Sequence, residues 1–341
     1  MKVVCLWHAT EREIERIRTA LPPGTEVVAA QGEYFSRFDC EPHEVRHLVA
    51  DADAFIGFSY PRGLVDLAPK LKIFCWLHSG VDDIDQLGVL AAARHRGFKV
   101  TNVRGANAIA VAEQAMMFVL ALAKKALMKH EAARNNHKLF HLYGDENRSA
   151  MLNGRTMGVI GVGNIGVRIA KHAKGFDMRV LGVRRNKGIA NEYVDSMHGM
   201  DELHAVLGQC DYVVLATPNT RQTFRFFGRA ELDAMRRTAF LVNVARGSLI
   251  QEKPLYDALT SGRLRGYAAD VWPKYEYGTA FPAGYVPRLE IQKLPNVIGS
   301  NDQAGNADDV LERDIDFGIQ SLVEFAEGRP LSQEVNVELG Y

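Results

Sequence analysis

The chain is poor in the features that would mark a secreted, metal-binding or membrane-embedded protein. Its four cysteines, Cys5, Cys40, Cys75 and Cys210, are scattered without C-x-x-C spacing. That argues against a disulfide framework and against a zinc site, and no metal is expected; four reduced, packed thiols are. Neither sign of charge is in excess, since 41 Lys and Arg face 41 Asp and Glu, so no broad basic face for nucleic acid or an anionic membrane is expected. The most apolar stretch, 106–123, is broken by Asn107, Glu113 and Gln114 and reads as a buried helix rather than a membrane span. The opening 2–7 reads as a strand, without the basic start, apolar run and cleavage site of a secretory signal, so a cytoplasmic location is expected. Internal repeats and low-complexity tracts are absent, and no histidine follows His204.

What is present is concentrated between Met157 and Arg185. An apolar strand enters Gly161-Val-Gly163-Asn-Ile-Gly166, a helix follows, and a second strand ends in two arginines. Glycine turns occur in many loops, but strand, turn and helix in this order make a dinucleotide cradle. Gly161 permits the tight turn, Gly163 lets a pyrophosphate approach the backbone, Gly166 lets helix and strand close up, and the helix N-terminus supplies amides. An acidic residue that grips the adenosine ribose is expected at the end of the second strand, yet Arg184 and Arg185 stand there. Two guanidinium forks suit a 2′-phosphate, so NADPH is expected as the preferred cofactor, with NADH possible; the alternative is a solvated basic turn.

Strands and helices alternate throughout, in one series from Lys2 to Val103 and a second from Thr156 to Ser300. This is an α/β pattern of two doubly wound units. The fingerprint opens the second series, so a Rossmann cofactor domain, 104–304, is expected as an insertion in a flavodoxin-like substrate domain, 1–103 and 305–341, with a hinge and cleft at the crossovers. Residues 129–149 are polar enough for an exposed excursion.

The ordered segments Leu77-His-Ser-Gly-Val-Asp82, Gly105-Ala-Asn107, Val111-Ala-Glu113, Gly161 to Gly166, Thr217-Pro-Asn-Thr220, Asn243-Val-Ala-Arg246-Gly247, Ala269-Asp270-Val271 and Leu294-Pro-Asn-Val297 resemble the D-isomer-specific 2-hydroxyacid dehydrogenase family, in particular its glyoxylate, hydroxypyruvate and 2-oxoacid reductases. The resemblance spans nearly the whole chain. It implies a small 2-oxoacid or 2-hydroxyacid substrate, a cleft between domains, and a homodimer built around 106–123. It also implies cofactor contacts from Gly161, Gly163, Asn164, Ile165, Thr217, Pro218, Val244 and Asp270.

Arg246, just past an apolar strand, matches the family's catalytic arginine and can hold a carboxylate while polarising the neighbouring carbonyl. Ser79 and Gly80 are expected to offer backbone amides to the substrate carboxylate. Pro218 and Asn219 occupy the loop beside the nicotinamide ring in the family, and each is equally explained as structural. The pocket for the rest of the substrate is expected from 59–63, the His78 loop and 272–285, where Trp272 and the tyrosines hint at a bulky ligand.

The proton donor departs from the family. Asp302 stands at the position of the usual histidine, and Tyr275 then Glu276 stand where its partner carboxylate is sought. Losing a general acid costs about a hundred- to ten-thousand-fold. Four accounts remain open. Asp302 is itself the acid, which needs burial beside Glu276 to lift its pKa by about three units from ~3.9. His78 supplies the proton, with an imidazole's ordinary pKa already near neutrality. Tyr275, Tyr277 or Tyr285 acts as donor or lid. Or the chain is a dinucleotide-binding sensor or interaction protein with little turnover.

Overall fold

The computed structural model describes every residue except 138–143, 273–274, 278–281 and 286–288, and for 275–277 and 282–285 it describes the backbone alone. The chain divides into two compact units: Met1–Asn107 with Tyr275–Gly284 and Asp308–Tyr341, and Ala108–Lys274 with Tyr285–Ala307.

In the first unit β1 (Lys2–Cys5), β2 (Glu26–Ala29), β3 (Ala54–Gly57), β4 (Ile73–Trp76) and β5 (Lys99–Thr101) form one sheet in the order β2-β1-β3-β4-β5. All four pairings are parallel, which gives the flavodoxin-like order. β3 and β4 are buried at every position because both faces of a parallel sheet are covered, and their sequences AFIG and IFCW are accordingly apolar without alternation. Helix Glu11–Ala20 and helix Val310–Ala326 cover one face, their Ile17, Ile315, Ile319 and Leu322 packing with Val3, Cys5, Ile56 and Cys75. The tail after Gly305 thus completes this unit, and Val335 donates its N–H to the Val100 carbonyl.

The second unit holds β6 (Thr156–Ile160), β7 (Arg179–Val183), β8 (Ser196–His198), β9 (Tyr212–Leu215), β10 (Phe240–Asn243) and β11 (Gly266–Ala269). After the short pair β12 (Tyr275–Tyr277) and β13 (Pro282–Tyr285) comes β14 (Val297–Gly299). Its seven-stranded sheet runs β14-β11-β10-β9-β6-β7-β8, all parallel, which is the Rossmann order with one strand added at the β11 edge. Helix Ala108–Lys124 and helix Asn164–Lys174 pack on one face, with Ala112, Ala115, Ala170 and Ala173 allowing close approach over Val159 and Val180.

Three sequence expectations shift. The first crossover comes after Asn107 rather than Val103, because Ala106 is buried in the first unit's core and Asn107 accepts a hydrogen bond from Ser79 there. Several strands are shorter than their apolar runs, as at 71–77, where the ladder covers only Ile73–Trp76. β8 was not expected, since Ser-Met-His has neither alternation nor an apolar run; it is recruited by pairing with β7.

Candidate active site

At the fingerprint the three glycines serve three different ends. Gly161 has φ +101°, a left-handed conformation, and a Cβ there would strike the Ala216–Thr217 backbone at 2.6 Å. A Cβ on Gly166 would lie 2.0 Å from the Gly161 carbonyl oxygen, so the helix can meet the strand turn only without one. Gly163 differs: its backbone is extended (φ −107°, ψ −156°), which any residue adopts, and a Cβ would meet no protein atom within 4 Å. Neither strain nor packing requires glycine at 163. The absence of a side chain leaves the backbone there open to a pyrophosphate, which the fingerprint brings closest at this glycine. Gly163 caps helix Asn164–Lys174, whose first turn has no acidic residue and whose last turn carries Lys171, His172 and Lys174, so the helix end is left positive. Asn164 is exposed and Ile165 half-buried at that end. The residues fit a dinucleotide.

At the end of β7, Arg184 donates its N–H to the His198 carbonyl across to β8, and Arg185 is exposed. Beside them Glu202 is held down to about 2 by the Gly199 N–H, then by Lys187 and His198. The Glu202 carboxylate is therefore committed to its own neighbours. Thr217 and Ala216 line the Gly161 turn, and Thr223 donates to the Pro218 carbonyl and so closes the following loop. Val244 is buried in the sheet's core and hydrogen-bonds Leu215 through its backbone.

Arg246 sits just beyond β10, half-buried, in a turn built by Asn243. The Asn243 side chain, fully buried, accepts from the Ala245 N–H at 3.1 Å and donates to the Arg246 carbonyl at 2.9 Å, while an Arg246 Nη donates to the Ala245 carbonyl. This asparagine fixes where the guanidinium starts. Its signal was an Asn at the strand's end, where an Asx turn forms.

Asp270, 3 % exposed, anchors the loop after β14. Its carboxylate accepts from the Gln303 and Ala304 N–H groups at 2.8 and 2.9 Å and from the Ser300 hydroxyl, which Gln114 also reaches. The Asp302 N–H donates to the Asp270 carbonyl at 2.8 Å. Asp270 therefore holds the segment that carries Asp302. Asp302 itself adopts φ +55° and is exposed. The side chains of Glu276, Tyr275, Tyr277 and Tyr285 lie outside the described residues. Trp272 is not a pocket residue: it is 2 % exposed, packs edge-on to Tyr267 and donates to the Ser300 carbonyl, because the apolar face under β11 needs a large side chain.

In the first unit the His78–Gly80 loop follows β4 with its carbonyls turned into the protein. Those of His78, Ser79 and Gly80 accept from the Val103 N–H, Asn102 Nδ2 and Trp76 Nε1. Among the described residues the Ser79 and Gly80 N–H groups have no partner. The Ser79 hydroxyl is spent on Asn107. His78 donates from Nε2 to the Phe58 carbonyl at 2.7 Å and packs on Trp76, which fixes the ring. Asn102, buried and clamping this loop, was not singled out in the sequence. Ser59 and Tyr60, expected to line a pocket, point inward instead: Ser59 donates to the Leu6 carbonyl and the Tyr60 hydroxyl accepts from Val65 N–H. All four cysteines are buried and unpaired. Among the described residues no helix is long and apolar enough to cross a membrane.

Residues 116–300 match the family model described as "D-isomer specific 2-hydroxyacid dehydrogenase, NAD binding domain". The chain is 33 % identical over 277 residues to the D-3-phosphoglycerate dehydrogenase of Methanocaldococcus jannaschii, covering 78 % of this chain and 48 % of that one, so it spans about half the length of that relative. It is 30 % identical over 306 residues to the glyoxylate reductase of Korarchaeum cryptofilum, with 85 % of each covered. In fold it follows a crystal structure of an NADPH-dependent glyoxylate/hydroxypyruvate reductase from Sinorhizobium meliloti solved with NADP and sulfate, with a TM-score of 0.78 at 21 % identity, covering 100 % of this chain and 99 % of that one.

Proposed function

The chain belongs to the D-isomer-specific 2-hydroxyacid dehydrogenase family, and from that premise we propose that it is an NADPH-preferring reductase of a small 2-oxoacid, or the reverse dehydrogenase. When bound, the nicotinamide supplies or takes up the hydride. The observation that carries the reading is Arg246, presented beyond β10 by a buried asparagine in the same sheet whose first turn is the glycine cradle.

In this reading the Ser79 and Gly80 amides hold the substrate carboxylate. Arg246 pairs with the same carboxylate and polarises the carbonyl oxygen, where negative charge develops. His78, held by the Phe58 carbonyl and the Trp76 ring, gives the proton. We prefer it to Asp302, which is exposed. Arg184 and Arg185 take the 2′-phosphate, and replacing both by alanine removes the preference for NADPH over NADH. A homodimer through helix Ala108–Lys124 belongs to the same proposal, supported by Met117, which that helix leaves exposed.

The test is NADPH consumption, with NADH in parallel, over a panel of 2-oxoacids. Turnover is expected, and Arg246→Gln should lower kcat by about a hundred- to a thousand-fold, as for loss of one charge-stabilising donor. His78→Gln should remove the fall in rate at high pH, where a proton donor is lost, and Asp302→Asn should leave it in place. If Asp302→Asn removes it instead, the donor is Asp302. The exposed Asp302 and the lack of any histidine after His204 favour one second reading, a dinucleotide-dependent sensor. Binding of NADPH with no consumption across the panel would establish that reading in place of the first.

A further inference from the structure

Helix Val310–Ala326 carries a carboxylate with no counter-charge at the ligand end of the first unit. Gly318 fixes the height of the helix: a Cβ there would lie 2.5 Å from Leu77 Cδ2 and 2.9 Å from Ile56 Cδ1, just at and past the carboxyl ends of β3 and β4. Asp314 lies one turn earlier on the same face of the helix, the face that packs on Leu77, the residue before the His78–Gly80 loop.

The Asp314 side chain is half-buried, and its Oδ1 is shut off from water without a hydrogen-bond partner among the described residues. Among the described residues no cation pairs with it. Arg16, on the helix packed alongside, is engaged by Glu312 and Asp316, and Arg313 is exposed. Burial alone lifts the Asp314 carboxyl to about 7, so a nearby positive charge would convert it to the ionised form.

We propose that Asp314 is the counter-charge for a cationic side chain on the substrate, so that the 2-oxoacid taken here carries a guanidinium or ammonium group at its far end. This rests on the reductase reading above. A substrate with a carboxylate at one end, for the Ser79 and Gly80 amides, and a guanidinium at the other satisfies both features of this end of the unit. A planar guanidinium fork reaches both carboxylate oxygens, including one that a single water could not serve. A purely aliphatic 2-oxoacid would leave the buried oxygen unpaired.

The experiment compares NADPH consumption with 5-guanidino-2-oxopentanoate, 2-oxohexanoate and glyoxylate in the wild-type protein, Asp314→Asn and Asp314→Leu. In the wild type, kcat/KM is expected to favour the guanidino acid over 2-oxohexanoate by about 30-fold or more. Asp314→Asn should erase that preference mainly through KM, and Asp314→Leu should reverse it. Equal use of the two acids by the wild type overturns the proposal, and that comparison stands even if a variant fails to fold. So does a variant that lowers kcat on every substrate alike, which would make Asp314 a proton donor. If no 2-oxoacid is consumed at all, the reductase reading fails, and calorimetry with NADPH present still decides about Asp314. Tighter binding of 5-guanidinopentanoate than of hexanoate, lost in Asp314→Asn, upholds the counter-charge, and equal binding removes it.

Discussion

In each unit the first strand of the parallel sheet leads through a turn into a helix, yet the two turns have opposite characters. Helix Glu11–Ala20 satisfies its own N-terminus: Thr10 accepts from the Glu13 N–H, Glu13 accepts from the Thr10 N–H, and Glu11 adds a further negative charge to the first turn. Glu13 is then gripped by Arg37 at 3.0 Å through two nitrogens and by Trp7 Nε1. Helix Asn164–Lys174 has no acid in its first turn and a glycine as its cap. The same element closes on itself in one unit and is left hungry for an anion in the other. What makes a phosphate site is therefore less the fold than the side chains that are withheld from it.

That contrast can be attacked at four points. Gly166→Ala should do the most damage, since its Cβ falls 2.0 Å from a backbone oxygen. A loss of about 3 kcal/mol in urea unfolding is expected from such overpacking, and an undiminished midpoint would show that the helix moves off the strand freely. Next comes Gly163→Asp, which gives the second helix the cap of the first. NADPH affinity should fall by about 100-fold, roughly 2.7 kcal/mol, while the melting temperature holds or rises, because aspartate is a good cap and a Cβ fits. Unchanged affinity by fluorescence titration would refute the assignment of Gly163 to the pyrophosphate.

Thr10→Ala should cost only about 1 kcal/mol of stability and leave NADPH binding untouched. The smallest effect is one of pH. Burial pushes the Glu13 carboxyl up, but bonds from Arg37, the Thr10 N–H and Trp7 outweigh it and hold the pKa below the usual 4.5. A carboxyl lowered on folding stabilises the protein at neutral pH, and that contribution disappears as the pH falls through 4.5 and below. Glu13→Gln should accordingly flatten the decline of the urea midpoint between pH 6 and pH 3.

Much of this was legible in the chain. Doubly buried parallel strands announce themselves as runs such as FLVN and YVVL, and the three glycines carry their spacing with them. What was illegible depends on partners distant in sequence. Nothing in the text around Asn102 says that it clamps Ser79, and a tryptophan in an aromatic-rich segment reads as a pocket wall until Tyr267 and Gly299 are found against it. Asp314 looks like one more acid on a charged helix. Only the packing of Gly318 shows which face it shares.

The anchoring of the loop after β14 by Asp270 has a consequence for how this family can vary. Two main-chain N–H groups and a serine hydroxyl set the shape of that loop, and among the described residues no hydrogen bond from the side chain at 302 adds to them. Its left-handed backbone suits aspartate, asparagine and histidine alike. Aspartate and histidine are separated in the genetic code by a single base. Asp302→His is therefore expected to change the chemistry offered at this position while leaving the loop's anchorage on Asp270 in place.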